Sequence, residues 1–189
     1  MEYDENYFKE RKFSDKHYKE TMQWIDYFKL DENSDVLDFG CGLGFYGHAL
    51  RYLGIDNVWG YEISKFACEN GYELMKDRIL DDINWFMNLP REPRLTELFD
   101  FILCYDVMEH VPEEQVNQTV NLLYSLLKPD GHILFSICMI GDSNLEKDKT
   151  HLTKKTRIWW EYWIQKAGFQ LIPVPDYFYF KNQLIIGRK

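Results

Sequence analysis

The stretch VLDFGCGLGFYG, residues 36–47, decides the fold. It starts as a short apolar β-type run that ends at Phe39, passes through closely spaced glycines, and continues into a helical pattern that Gly54 closes. Glycines let the backbone turn sharply and approach a ligand, and the helix that follows presents unpaired N–H groups and the positive end of its dipole. We therefore predict a strand, a tight turn and a helix, with the turn able to hold a carboxylate or a diphosphate.

The rest of the chain alternates short apolar runs with longer helical patterns, which is typical of an α/β domain. The predicted helices cover residues 15–29, 46–53, 64–75, 112–127 and 155–167. The predicted strands cover residues 35–39, 57–61, 78–83, 99–104, 131–139, 169–172 and 183–187. No helix separates the last two strands, so they are predicted to be antiparallel, because a parallel pair needs a longer crossover. We expect a single-domain, Rossmann-like fold: a mostly parallel seven-stranded sheet with one antiparallel strand and helices on both faces.

Composition narrows the class of protein. The 189 residues suit one structural domain, divided here into an N-terminal helical cap segment, 1–34, and a main domain, 35–189. A net charge of -9 disfavours nucleic acid as a partner, and the longest apolar run, 133–140, is far shorter than the ~18 residues of a membrane span. The four cysteines are widely spaced, a pattern that suits reduced thiols in a cytosol and predicts neither a disulfide framework nor a zinc site. We expect a soluble, cytoplasmic monomer or homodimer.

The glycine-rich turn allows two interpretations. The spacing of Gly42, Gly44 and Gly47 matches the dinucleotide pattern G-x-G-x-x-G. A dinucleotide turn should begin where the strand ends, however, and a pattern that began at Gly40 would put the bulky Phe45 at its third small position. The dinucleotide interpretation is therefore the weaker one.

Asp38 followed by Gly40, Gly42 and Gly44 resembles the first motif of the class I, Rossmann-like, S-adenosylmethionine-dependent methyltransferases. The resemblance implies that this turn, with Cys41 inside it, wraps the methionine end of the cofactor. It also implies that Asp38 fixes the loop and faces the amino group of the cofactor. S-adenosylmethionine is thus the expected cofactor and S-adenosylhomocysteine the product.

The resemblance continues after the second strand. Glu62 is placed to accept hydrogen bonds from both ribose hydroxyls, a role that acidic residues at this spacing have in nucleotide sites, and Ile63 would pack on adenine. Asp82 and Ile83 resemble the family's position near the adenine amino group, although Asp81 could fill the same role.

A third similar segment is FDFILCYDVMEHVP, residues 99–112. It is most similar to ubiquinone-biosynthesis O-methyltransferases and related small-molecule enzymes, which carry a similar E-H-V-P run. The resemblance implies that the backbone around Cys104 and Tyr105 faces the methionine moiety and the transferable methyl group. The stretch Tyr3 to Arg11 has a weaker similarity to segments that close over the cofactor.

Methyl transfer is an in-line displacement at an already activated carbon, so positioning can do much of the work, while an oxygen acceptor usually also needs a base. His151, in a polar loop after the fifth strand, is the first candidate base, His110 the second and Asp106 the third.

The sequence predicts methyl transfer to an O or N atom of a small molecule, such as a sugar or a ring hydroxyl. A non-catalytic cofactor-binding partner subunit and a protein or RNA methyltransferase remain alternatives, and the placement of Asp38 and Phe45 argues against an NAD-dependent oxidoreductase.

Overall fold

The computed structural model describes residues 3–82 and 97–189. The chain divides into two compact units, residues 1–95 and 96–189. The first unit contains helices α1 (Glu5–Phe8), α2 (Asp15–Phe28), α3 (Phe45–Tyr52) and α4 (Lys65–Glu69), strands β1 (Asp35–Phe39), β2 (Asn57–Tyr61) and β3 (Ile79–Leu80), and a 3₁₀ turn at Glu73–Met75. The second contains strands β4 (Phe99–Tyr105), β5 (Leu127–Ser136), β6 (Gln170–Ile172) and β7 (Leu184–Arg188), helices α5 (Glu113–Leu126) and α6 (Arg157–Lys166), and a 3₁₀ turn at Met108–His110.

The seven strands have the order β3-β2-β1 within the first unit and β4-β5-β7-β6 within the second. In the first unit β2 pairs in parallel with both β1 and β3. In the second unit β4 and β5 are parallel, whereas β7 is antiparallel to both β5 and β6. The predicted mostly parallel sheet with one reversed strand is confirmed.

Apolar strand residues form the core of each unit. Val36 and Leu37 of β1 and Val58 of β2 are fully buried in the first unit, as are Ile102 and Leu134 on β4 and β5 of the second. Strands that are covered on both faces are expected to be rich in apolar residues, and β1 (DVLDF) and β4 (FDFILCY) are apolar apart from three aspartates. The burial therefore explains why these two strands were predicted with correct bounds to within one residue.

The predicted helix over residues 64–75 is wrong in its second half. Helix α4 ends at Glu69, and the chain then turns through Gly71 into the short 3₁₀ turn. The N–H of Tyr72 donates to the carbonyl of Leu43 at 2.7 Å, so it is withdrawn from any helical ladder. A long-range backbone hydrogen bond of this kind overrides a local helical pattern.

Gly44 offers a test of how tightly the glycine loop is packed. It begins α3 with φ of 78°, and a Cβ there would lie 2.8 Å from the Cβ of the buried Met75. Left-handed strain and overpacking should together lower the free energy of unfolding of Gly44→Ala by about 2 to 4 kcal/mol. Gly54→Ala is the matched control, because Gly54 also has positive φ, 97°, but no atom of the described part of the chain lies within 4 Å of the added carbon. Urea denaturation of both variants measures the difference, and equal losses would contradict the packing described here.

Candidate active site

The glycine loop of the first unit is fixed to the end of β2. Gly40, Gly42 and Gly44 have φ values of 72°, 54° and 78°, all in the left-handed region that favours glycine. The N–H groups of Gly40 and Cys41 donate to the carbonyl of Tyr61 at 2.7 and 3.1 Å. The turn is therefore held in one shape by backbone hydrogen bonds, and the three glycines are required by their conformation.

Glu62 connects this loop to the start of α4. Its side chain is buried, and its two carboxylate oxygens accept hydrogen bonds from the N–H of Gly42, at 2.8 Å, and from the N–H of Ser64, at 2.9 Å. An ionised carboxylate has about four lone-pair sites, so two sites remain for further donors. Glu62 is thus preorganised as an acceptor of hydroxyl hydrogens.

Asp38 lies beneath the loop, buried at the end of β1. One of its carboxylate oxygens accepts a hydrogen bond from the N–H of Gly47 in α3 at 3.2 Å. Burial raises the pKa of Asp38 to about 7, the Gly47 N–H opposes this shift, and the negative charge of Glu62 adds to it. A cationic group bound beside Asp38 would favour its ionised form.

The raised pKa of Asp38 predicts a pH dependence of stability. The unfolded chain releases this proton near pH 4, whereas the folded chain keeps it up to about pH 7. The folded state therefore binds more protons in this window, and the contribution of Asp38 to stability falls as pH rises from about 4 to 7. Asp38→Asn cannot titrate, so its free energy of unfolding relative to wild type should rise through this window. Urea denaturation at several pH values measures that difference, and a constant difference would contradict the assignment.

The N-terminal segment, Tyr3 to Arg11, contacts the glycine loop. Phe8 is buried, stacks on Phe66 of α4 with ring centroids 6.0 Å apart, and would lie 3.2 Å from a Cβ added at Gly42. The hydroxyl of Ser64 donates a hydrogen bond to the carbonyl of Tyr3. The stretch with a weak similarity to segments that close over the cofactor therefore packs against the glycine loop.

The remaining predicted cofactor residues differ in exposure. Ile63, beside Glu62, is 63% exposed and offers an apolar surface, and Asp82 is also exposed. Ile83 lies outside the described residues. In the second unit, Cys104 is fully buried in β4 and Tyr105 is half-buried at its end.

The second unit brings His110 and His151 together with Glu109. One potential ligand atom on each lies within 4.8 Å of the others, and the two imidazole rings have centroids 4.8 Å apart. The loop that carries His151 is fixed there because the N–H groups of Leu152 and Thr153 donate to the carbonyl of Glu109 at 2.8 and 3.0 Å. Backbone hydrogen bonds between neighbouring residues thus bring together two histidines that are far apart in the sequence.

Both imidazoles are oriented by backbone carbonyls. The Nδ1 of His110 lies 3.2 Å from the carbonyl of Thr150, and the Nδ1 of His151 lies 2.9 Å from the carbonyl of Leu145. A carbonyl oxygen can only accept, so each Nδ1 is the donor, and the lone pair of the neutral ring is on Nε2. This tautomer suits a base or a metal ligand.

Glu109 was not singled out from the sequence, although the adjacent Glu-His pair, with a further histidine in a later loop, is a signal that could have found it. The residue is completely buried. Its Oε1 accepts a hydrogen bond from the N–H of Cys138 at 2.9 Å, and within residues 3–82 and 97–189 its Oε2 has no hydrogen-bond partner. Burial raises the pKa of Glu109 to about 8, and the charge of Asp106 adds to the shift. Asp106, the third candidate base, is exposed, has φ of 55°, and accepts the hydroxyl of Ser136 at 2.5 Å.

Comparison with known families decides the class of the protein. Residues 9–183 match the family described as the methyltransferase domain. The chain belongs to this methyltransferase family. Membership confirms the resemblance inferred from the glycine motif and disfavours the dinucleotide interpretation of the same turn.

Curated relatives of this methyltransferase domain are named for different substrates. This chain is 26% identical over 134 residues to EEF1A lysine methyltransferase 2 of Danio rerio, and the match covers 67% of this chain and 57% of that protein. It is 25% identical over 151 residues to the tRNA U34 carboxymethyltransferase of Nautilia profundicola, covering 74% and 48%. It is 28% identical over 123 residues to the ubiquinone biosynthesis O-methyltransferase of Pseudomonas putida, covering 61% and 49%. The chain spans about half the length of the curated relatives it matches.

Solved structures support the fold. A SAM-dependent methyltransferase from Archaeoglobus fulgidus superimposes with a TM-score of 0.72 at 17% identity, covering 98% of this chain and 100% of that one. A Burkholderia thailandensis 1,6-didemethyltoxoflavin-N1-methyltransferase, solved with S-adenosylhomocysteine, superimposes with a TM-score of 0.62 at 15% identity, covering 92% and 77%. Among residues 3–82 and 97–189, none of the helices has the length and apolar character needed to cross a bilayer.

Proposed function

We propose that this protein is an S-adenosylmethionine-dependent methyltransferase that acts on an O or N atom of a small molecule. The observation that carries the proposal is the position of Glu62, whose buried carboxylate joins the N–H groups of Gly42 and Ser64. A glycine turn that serves only to connect a strand to a helix has no need of a buried acidic residue with spare acceptor sites. A ribose with two adjacent hydroxyls would use those sites.

The residues of the first unit fit this cofactor. Glu62 would accept the ribose hydroxyls, Ile63 would pack on adenine, and the backbone of Gly40 to Gly44 would lie along the methionine end. Asp38, whose burial makes its ionisation costly, would gain from the positively charged amino group of the cofactor. The cofactor supplies a methyl group already activated on a sulfonium sulfur.

We assign activation of the acceptor to the His110 and His151 pair. Each ring carries its lone pair on Nε2, and that of His151 is fixed by the carbonyl of Leu145. A neutral imidazole can take up the proton that an oxygen acceptor loses. Asp106 remains the third candidate for this role.

A small molecule is the acceptor that we favour. The net charge of -9 repels a phosphate backbone, and the fourth-strand segment resembles small-molecule enzymes. The curated relatives nevertheless include proteins named for tRNA and protein substrates. A cytoplasmic location is part of the same proposal.

Transfer of a labelled methyl group tests the acceptor class. The purified protein is incubated with methyl-labelled S-adenosylmethionine and, in parallel, with pools of phenolic and sugar metabolites, total tRNA, or cell protein. Label in the small-molecule pool is the expected result. Label confined to tRNA or to protein would overturn the acceptor class, and cofactor binding without transfer to any pool would favour the non-catalytic partner subunit.

A further inference from the structure

We propose that Glu109, His110 and His151 form a binding site for a divalent transition-metal cation. One candidate ligand atom from each residue lies within 4.8 Å of the other two. Atoms that share one cation at bonds of about 2.0 to 2.2 Å lie roughly 3 to 4 Å apart, so only a small side-chain adjustment separates the observed cluster from a coordination shell.

The buried carboxylate of Glu109 is the observation that points to a ligand. Its side chain is fully buried, and its Oε2 has no hydrogen-bond partner among the residues that the structure describes, whereas Oε1 accepts a hydrogen bond from the N–H of Cys138. An unpaired buried polar atom costs free energy, and buried carboxylates are normally paired or coordinate a metal. A cation beside Oε2 would remove that cost.

The surroundings of both histidines match those of metal ligands. Metal-bound histidines usually donate their other ring N–H to a carbonyl or carboxylate, which fixes the ring and its tautomer. Here the Nδ1 of His110 donates to the carbonyl of Thr150, and the Nδ1 of His151 donates to the carbonyl of Leu145. The hydroxyl of Thr150 also lies 2.8 Å from the same Nδ1 of His110 and donates to Asp148 at 2.5 Å. Each Nε2 lone pair is therefore presented in the form that binds a metal.

The donor set indicates the kind of cation. Two imidazole nitrogens and one carboxylate suit zinc, iron(II), cobalt or manganese better than calcium or magnesium, which prefer oxygen ligands. Three protein ligands also leave coordination positions open, as in catalytic metal sites. An extension that rests on the proposed function is that an acceptor oxygen in an open position would lose its proton to solvent more easily, so the cation would replace the imidazoles as the activating group.

Cobalt(II) titration of tag-free, chelator-treated protein tests the site, because cobalt gives visible d–d bands that report its ligands. We expect one equivalent to bind, zinc to displace it, and magnesium to compete at least about tenfold less well. Glu109→Gln, His110→Gln and His151→Gln should each weaken cobalt binding about 100-fold, while His132→Gln, a histidine on β5 outside the cluster, should leave it unchanged.

Three results would overturn the site. They are no cobalt or zinc binding by wild type, binding that persists in the three variants, or a thiolate charge-transfer band that reports a cysteine site instead. Glu109→Gln keeps an oxygen for the Cys138 N–H and places a neutral side chain of the same size at this buried position, so it should fold, as circular dichroism will check. S-adenosylhomocysteine binding is measured on the same samples. Wild-type protein that binds S-adenosylhomocysteine but not cobalt would contradict this inference alone. Wild-type protein that does not bind S-adenosylhomocysteine would contradict the proposed function.

Discussion

Glu62→Gln is expected to weaken S-adenosylhomocysteine binding by at least about 100-fold. Glutamine has one acceptor oxygen, so its NH₂ group would face the N–H of either Gly42 or Ser64, and both existing hydrogen bonds could not be kept. The change also removes the charge that would strengthen two bonds to ribose hydroxyls, each worth about 1.5 to 3 kcal/mol. Isothermal titration calorimetry with S-adenosylhomocysteine measures the loss.

Glu69→Gln is the matched control for this prediction. Glu69 is exposed at the end of α4, only seven residues from Glu62, so its replacement removes the same charge from the same part of the chain. The affinity of the Glu69→Gln variant for S-adenosylhomocysteine should stay within about twofold of that of wild type. Circular dichroism shows whether each variant is folded. A folded Glu62→Gln variant with wild-type affinity would remove Glu62 from the cofactor site.

His151→Ala is expected to lower turnover of the true acceptor by about 10² to 10⁴-fold while leaving S-adenosylhomocysteine affinity nearly unchanged. His151 is not among the predicted cofactor residues, and its Nδ1 donates to the carbonyl of Leu145. The expected loss holds whether Nε2 takes a proton directly or binds a cation, because alanine removes both possibilities. Single-turnover kinetics with labelled cofactor separates the chemical step from binding.

His132→Ala serves as the control for the histidine variant. His132 lies on β5 in the same unit, outside the cluster of Glu109, His110 and His151, so we expect turnover to be unaffected. Unchanged turnover of His151→Ala with the true acceptor would exclude the residue from the mechanism. Loss of cofactor affinity together with turnover would instead indicate a structural role.

Much of the fold could be predicted from the sequence because strands such as β1 and β4 are short, buried apolar runs bounded by glycine or polar residues. The sequence alone, by contrast, could not show that the helix predicted for residues 64–75 ends at Glu69. Its end depends on the hydrogen bond from Tyr72 to Leu43, and a contact between residues distant in the chain leaves no local pattern. The shape of the glycine loop, by contrast, was predictable because only glycine adopts its positive φ values readily.

The candidate site also contains residues that the sequence could identify and features that only the structure shows. Asp38 and Glu62 occupy positions that a motif defines, so sequence alone nominated them. Glu109 was missed because its role depends on burial and on an unpartnered oxygen. His151 was nominated from the sequence, but its position beside Glu109 depends on two backbone hydrogen bonds. Such tertiary features appear only once the chain is folded, and for that reason no metal site was predicted from the sequence.

The central claim is that the glycine loop binds S-adenosylmethionine. Its most direct test is a calorimetric titration of the purified protein with S-adenosylhomocysteine, run beside an identical titration with NADH. We predict saturable binding of S-adenosylhomocysteine with one site per chain and no measurable binding of NADH. Binding of NADH without binding of S-adenosylhomocysteine would contradict the account.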